Sequence, residues 1–541
     1  MPIPHTSTLR FTPKGLADGF DATEIFPGAC RKLQNLVFDQ SNPEVVIARP
    51  GVGAAITSFA GFTTPGFVSL QVVVGTKVFG MVATGLTAAH DEPFCYDLVT
   101  NAFIAISGVT AGNAEGRPTS PATTGAWTPP TLAVIGAKII ITHPGYAGTA
   151  GKFFGVIDIS NPAAPAYTTA NTTTNLLPTV PTSVANFNNR AYFACGNVEY
   201  YSDVLAPTVM TTAGQSLTLG DNTPIVAQAG LPVTTTSGGV VGALIVFKGT
   251  QIWQITGDAA VTGTLAQNYL TLTVGCQAPR SVVSSPLGTF FAGPDCAYFV
   301  SATGLILPVT NQQGGLPDIR QPFNYCTEPT RVAAAFASNI YRLCIPTIVD
   351  GVAGTFDYWF DCRRFRWNGP HTFLYDCASG AGNYFVLTDR RVPAKLFTSY
   401  VNPKTTTIYT DNAAVYTADM VSATMPKRGE MAVKQIVEST MELSSSGAAL
   451  TYGITAFGEN GQFINAVGIP VQGLGHIWGT HPWGNGLRWT SSQTQVVTYR
   501  INWSIPIVFN KIAIEVSTPA TKGVSIGTFY GRTQTTGYTL Q

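Results

Sequence analysis

Apolar and polar residues alternate in short bursts along most of this 541-residue chain. The stretch GALIVFKGTQIWQITGD (242–258) shows the unit: strand formers at 244–247, a Lys-Gly-Thr turn, a second run at 251–256, and a stop at Gly257-Asp258. These signals predict a β-hairpin. Related units lie at 68–83, 132–145, 184–203, 284–304 and 333–346, each a short strand, a Gly- or Asn-rich turn and a second strand. An aspartate often closes the unit or its neighbour. Asp97, Asp158, Asp203, Asp258, Asp295 and Asp361 are 61, 45, 55, 37 and 66 positions apart. The mean spacing, about 53, is close to that of propeller repeats. An aspartate between two strand runs can cap a tight turn through backbone N–H groups.

A lone hairpin is barely stable in water, and sheets repeated around an axis cover one another and leave only short edges. The pattern therefore predicts an all-β protein with a β-propeller of about six blades over residues 56–395. Two stretches break the rhythm, 107–131 and 205–239, and both read as long loops. After about residue 395 the alternation lengthens, through KRGEMAVKQIVESTMELSS to QVVTYRINWSIPIVFNKIAIEVS (495–517). That texture predicts an antiparallel β-sandwich platform over 396–541, one face solvated. Residues 1–55 are expected to form a β segment packing with it.

Composition sharpens this picture. Only 11% of residues are charged, against 45% hydrophobic, and the 55 glycines and 36 prolines are spread along the chain. Long charged helices are therefore scarce. The net charge of +1 declares no strongly basic face of the kind that grips phosphates. Small basic knots do occur: Arg363, Arg364 and Arg366, then Arg390-Arg391 and Lys427-Arg428. The start, MPIPHTSTLRFTP, shows no basic-then-apolar leader, and no apolar run nears the length of a membrane helix. Cytoplasmic synthesis without signal or anchor is the expectation. The nine cysteines are odd in number and form no C-x-x-C pair, so they read as small buried apolar residues rather than metal ligands.

Chemistry is hard to find. The 29 acidic residues form no pair at legible spacing, no S-x-D-x-G-x-T-W box occurs, and there is no G-x-S-x-G elbow. GYAGTAGKFF misses the phosphate-loop spacing by one residue and puts Phe153 where a hydroxyl is needed. GLGHIWGTHPWGNG (473–486) offers His476 and His481 beside Trp478 and Trp483. A Trp-anchored surface loop that packs or touches a partner is the better reading there. No catalytic residue, cofactor or metal is expected.

Residues 244–304, with the hairpin ending Thr-Gly-Asp, the Val-Gly-Cys followed by Ala-Pro-Arg, and the Phe-Phe-Ala-Gly-Pro-Asp turn, resemble the tail nozzle or tail hub proteins of short-tailed bacteriophages, also called packaged-DNA stabilisation proteins. VEYYSDVLAPT (198–208) and LQNLVFDQSNPEVVIARPG (33–51) are similar to that family in the same order. The resemblance implies a non-enzymatic virion protein: a ring of six copies below the portal–adaptor complex, enclosing the channel for viral double-stranded DNA, with tail fibres or spikes docked outside. Within that reading, Arg363, Arg364 and Arg366 are expected near the DNA channel and 205–239 against a neighbouring subunit or sealing the channel, while Trp478 and Trp483 are the candidate partner contacts. A receptor-binding adhesin or spike is the alternative. A propeller glycoside hydrolase, which needs two carboxyls at controlled separation, comes third.

Overall fold

The computed structural model describes residues 6–18, 28–53, 65–84, 90–108, 118–119, 129–149, 151–234, 240–259, 265–301, 303–309, 319–349, 351–373, 375, 377–388, 396–401, 408–425, 432–445, 449–458, 461–471, 497–521 and 523–538. They form a six-bladed β-propeller joined to further antiparallel sheets that pack as a sandwich.

Five blades are four-stranded meanders in chain order. They run from Pro65–Val74 to Ala102–Ile104, from Thr131–Ile135 to Ala166–Ala170, from Ser183–Phe187 to Ser216–Thr218, from Ile225–Thr234 to Ala266–Thr271, and from Val283–Ser285 to Ile306–Pro308. The sixth has three strands, Cys377–Ala381, Tyr384–Thr388 and Leu396–Tyr400. The hairpin read from 242–258 is the middle of the fourth blade: Ala243 faces Thr256 and Phe247 faces Ile252.

Because side chains alternate across a strand, each blade presents one apolar set to each neighbour. Phe79, Met81 and Cys95 of the first blade meet Ile139, Ile141 and Ile157 of the second. The second meets the third through Phe154 and Phe193, with ring centroids 4.9 Å apart, and the fourth meets the fifth through Phe247 and Phe291 at the same separation. Val386 and Leu396 of the sixth pack on Val78, Phe94 and Tyr96 of the first. Each large side chain so buried contributes about 1.5–3 kcal/mol, which is how sheets with no covering helices remain folded.

Between the fifth and sixth blades stands a further sheet: Ala333–Ala337, Ile340–Val349, Val352–Asp361 and Arg366–His371. Its Tyr341 stacks on Phe290 of the fifth blade, and its Ala335 and Cys344 share a core with Phe385 and Leu387 of the sixth. It does not end at the propeller. Gly369 pairs with Leu33, and the sheet continues through Ala29–Gln34, Thr417–Ser422, Ile512–Pro519, Leu450–Gly458 and Phe463–Val471. A second, seven-stranded sheet covers one face of this continuation. In it the Thr6–Phe11 strand runs antiparallel to the long C-terminal strand Ser525–Tyr538. Met441, Leu443, Ile526 and Phe529 of that sheet share one core with Met420, Ile454 and Val516 of the other.

Residues 205–239 are not one long loop. Val209–Met210, Ser216–Thr218 and Ile225–Thr234 are strands, and the last is the innermost strand of the fourth blade. Its alternating Ile225, Ala227, Ala229 and Leu231 are buried. The Gly and small residues that resemble a loop in sequence serve close packing: a Cβ on Gly230 would lie 2.1 Å from the Asn186 carbonyl oxygen of the neighbouring inner strand.

At the joint between propeller and sandwich the core is charged. The buried Arg342 guanidinium donates from Nε to Asp357 Oδ2 at 2.8 Å and from Nη1 to Ser399 Oγ at 2.9 Å, and lies over the rings of Trp359, Tyr375 and Phe385. Arg49, also buried, donates from Nε to Asn35 Oδ1 at 2.9 Å, pairs with the Asp411 carboxylate and stacks on Tyr416.

Candidate functional site

The ten-stranded sheet has two unlike faces where it leaves the propeller. One cross-strand row reads Leu33, Met420, Val516, Ile454, all fully buried in the sandwich core. One residue along, the next row reads Lys32, Val421, Glu515, Thr455 and points to the opposite side. Asp419 is two residues from Val421 and shares that side. Lys32 Nζ lies 3.0 Å from Asp419 Oδ2. Burial, and next the nearby Asp419 carboxylate, push the Glu515 carboxyl above its ordinary range, with Lys32 opposing.

This polar face is the floor of a cleft of about 340 Å³. Its walls are the short helix Gln321–Asn324, the tip of the long hairpin at Ile348 and Val349, and Phe457. Asp18 closes one side. Its Oδ1 accepts the backbone N–H groups of Arg320 at 3.0 Å and Gln321 at 3.4 Å. These bonds favour the carboxylate, yet burial outweighs them and raises the Asp18 pKa to about 6. The cleft is thus lined by a carboxyl raised to about 6, a second one raised by burial, and a lysine whose ammonium is held by Asp419 beside it.

A serine, an aspartate and a histidine also meet, between the first and second blades. Ser69 Oγ donates to Asp91 Oδ2 at 2.5 Å, and His143 Nε2 lies 3.0 Å from the same oxygen. The Gly145 N–H donates to His143 Nδ1 at 3.0 Å, so the hydrogen-bond pattern puts the ring proton on Nε2, facing Asp91. Nucleophilic catalysis needs the imidazole between serine and carboxylate. Here the carboxylate is in the middle and all three side chains are buried. The group is a clasp between blades.

Arg364 and Arg366 lie against the N-terminal hairpin. Arg364 bridges Asp361 Oδ2 and the Asp39 carbonyl, at 2.8 and 2.9 Å, and Arg366 donates to the Pro43 carbonyl at 3.0 Å with its guanidinium over Phe38. Arg363 is exposed beside them. Trp478 and Trp483, with His476 and His481, lie outside the described residues. All nine cysteines are free. Among the described residues, no group of three or more His, Cys, Asp or Glu side chains is placed to hold a metal ion, and no helix is long and apolar enough to cross a membrane. Sequence reasoning missed the cleft because its members come from opposite ends of the chain, with no motif linking Asp18 and Lys32 to Asp419 and Glu515. The one usable signal was the alternation around residues 417–422 and 512–519.

Neither a family model nor a curated protein sequence matches the chain. Solved structures match it at low identity. Puromycin hydrolase matches at 12% identity and a TM-score of 0.37, over 63% of this chain and 53% of the other. An exo-β-1,3-galactanase from Phanerochaete chrysosporium matches at 9% and 0.29, over 89% and 99%. The β-propeller domain of the Trilobed protease from Pyrococcus furiosus matches at 9% and 0.34, over 62% and 95%. The chain spans about half the length of the puromycin hydrolase it matches. The expectation of a non-enzymatic virion tail nozzle is corrected here: peptidases and a glycoside hydrolase are among the structures the chain matches. At such identities the likeness conveys the fold alone, and no substrate or residue role is carried over from it.

Proposed function

We propose that the cleft between the short helix and the ten-stranded sheet is the working site of this protein, and that its chemistry is acid–base hydrolysis of a small polar substrate. One observation carries the reading: Asp18, with a pKa of about 6, lines the same cleft as Lys32 and Glu515. A group that titrates near the working pH is the best general acid or base. Asp18 would give or take the proton at its carboxyl. Burial and the neighbouring Asp419 carboxylate favour the protonated form of Glu515, and Lys32 opposes them. Neither step calls for a metal or cofactor.

The test is turnover of chromogenic aryl esters and aryl glycosides by the full chain across a pH series. The expected result is hydrolysis with a limb near pH 6, lowered about 100-fold or more by Asp18→Asn and shifted in pH by Glu515→Gln. Turnover indifferent to Asp18→Asn, or none above buffer with either probe class, overturns the reading.

A further inference from the structure

Propeller blades end in an outermost strand with one unpaired edge, and this molecule treats its edges unequally. The outermost strands of the first, third and fifth blades, Ala102–Ile104, Ser216–Thr218 and Ile306–Pro308, are three residues long. The longer ones of the second and sixth blades are covered by the chain itself. The Tyr167 N–H donates to the Ser107 carbonyl at 2.8 Å, and the Ser107 N–H to the Pro165 carbonyl at 2.9 Å. The Gly53 N–H donates to the Thr398 carbonyl at 3.2 Å. The fourth blade differs. Its outermost strand, Ala266–Thr271, is six residues long and pairs inward with Ile252–Thr256. Among the described residues, no other backbone group bonds to its outer side.

Natural edge strands are commonly blunted by charge, proline or brevity. This one is not short, and residues 265–278 carry no charged residue and no proline; a bulge at Leu270 interrupts it only near its end, leaving Ala266–Tyr269 in unbroken register with Trp253–Thr256. Tyr269 is 66% exposed, and Leu272, Leu305 and Leu307 extend the apolar surface onto the rim of the fifth blade. The two rims adjoin, since a Cβ on Gly304 would lie 3.1 Å from Leu270 Cδ2.

We propose that this edge pairs with the same edge of a second copy of this chain, antiparallel across a two-fold axis, joining two four-stranded blades into one continuous sheet. Charge selects this occupant. Two-fold self-pairing sets a strand against its own sequence, so any charged residue near the axis meets its like, at a cost. An edge with no charge escapes that penalty, and it offers a charged partner strand nothing to prefer. Tyr269 and the three leucines then gain apolar cover at the flanks of the new ladder. The pairing makes no use of the cleft and stands whether or not the cleft hydrolyses anything.

The experiment measures the mass of the full chain by sedimentation over a concentration series, with amide exchange read at 266–271. The expected result is a monomer–dimer equilibrium with these amides protected in the dimer. Gln267→Lys combined with Tyr269→Lys should raise the dissociation constant at least about tenfold, through like charges meeting in the ladder. Both positions are exposed, and an unchanged denaturation midpoint shows the fold intact. If the double variant misfolds, Gln267→Lys alone tests the same contact. A monomer at every concentration overturns the proposal. So does an oligomer of any size whose dissociation ignores the lysines or whose edge amides exchange freely.

Discussion

The second blade and the joint between propeller and sandwich are built by opposite means. The blade is a single run of chain, 131–170, in which each strand pairs with the next in sequence. Its centre is aliphatic, with Ile139, Ile140, Ile141 and Ile157 fully buried, while Lys138 and Asp158 stay at the rim. The joint draws on segments far apart, such as Arg49 and Asp411, 362 positions from one another, and it buries their charges. Alternation and tight turns suffice to set the register of neighbouring strands. They say nothing about how two distant segments should dock. An ion pair with hydrogen bonds from fixed directions does, because any other docking strands a charge out of water.

Breaking the joint should therefore cost most. Arg342→Met leaves the buried Asp357 carboxyl, already raised by burial, without its guanidinium. The expected loss is about 3–5 kcal/mol of unfolding free energy in urea titrations. Adding Asp357→Leu should recover a large part of it, since the penalty comes from the orphaned charge. A single-variant loss below about 1 kcal/mol would mean that the rings of Trp359, Tyr375 and Phe385 hold the joint without the pair.

The blades contain an exception that sharpens the contrast. Glu199, in the third blade, is fully buried, and among the described residues neither carboxyl oxygen has a hydrogen-bond partner. Burial alone pushes its carboxyl well above the ordinary 4.5. Folding raises this pKa, so its contribution is fully present below 4.5 and is lost as pH rises toward the folded-state value. Above pH 4.5 the wild type should lose stability relative to Glu199→Gln, by at most about 1.4 kcal/mol per pH unit. Denaturation midpoints of both proteins over a pH series measure this. Parallel curves would mean that the carboxyl ionises as easily folded as unfolded.

The same division explains what was legible in the sequence. The hairpin at 242–258 and the sandwich texture after 395 were readable because strand period and turn chemistry are local. The inner strand Ile225–Thr234 was not, because Ala, Gly and Pro at a crowded axis read as loop. The sheet beginning at 333 was visible as one more hairpin, but not its continuation across Gly369 and Leu33 into the sandwich, since no pattern marks a pairing of such distant strands. The cleft was hidden for that reason too. Asp18 has an ordinary aspartate's neighbours in sequence, and only the fold puts the short helix over it.

The turn aspartates allow the smallest and cleanest comparison, because one local device occurs in both settings. Asp158 closes the third strand of the second blade and accepts the Ser160 N–H at 2.9 Å. Asp361 closes the corresponding strand of the joint sheet and accepts the Arg363 N–H at the same distance. Asp361 also holds Arg364, which reaches across to the Asp39 carbonyl. Asp158→Ala removes one exposed cap and should cost about 0.5–1 kcal/mol. Asp361→Ala removes the cap and releases the arginine that ties the N-terminal hairpin to the sheet. It should cost about 1 kcal/mol more, with faster amide exchange at 36–48 as the second readout. Equal losses from the two alanines would mean that Arg364 adds nothing to the joint, and that its aspartates do the same local work as those of the blades.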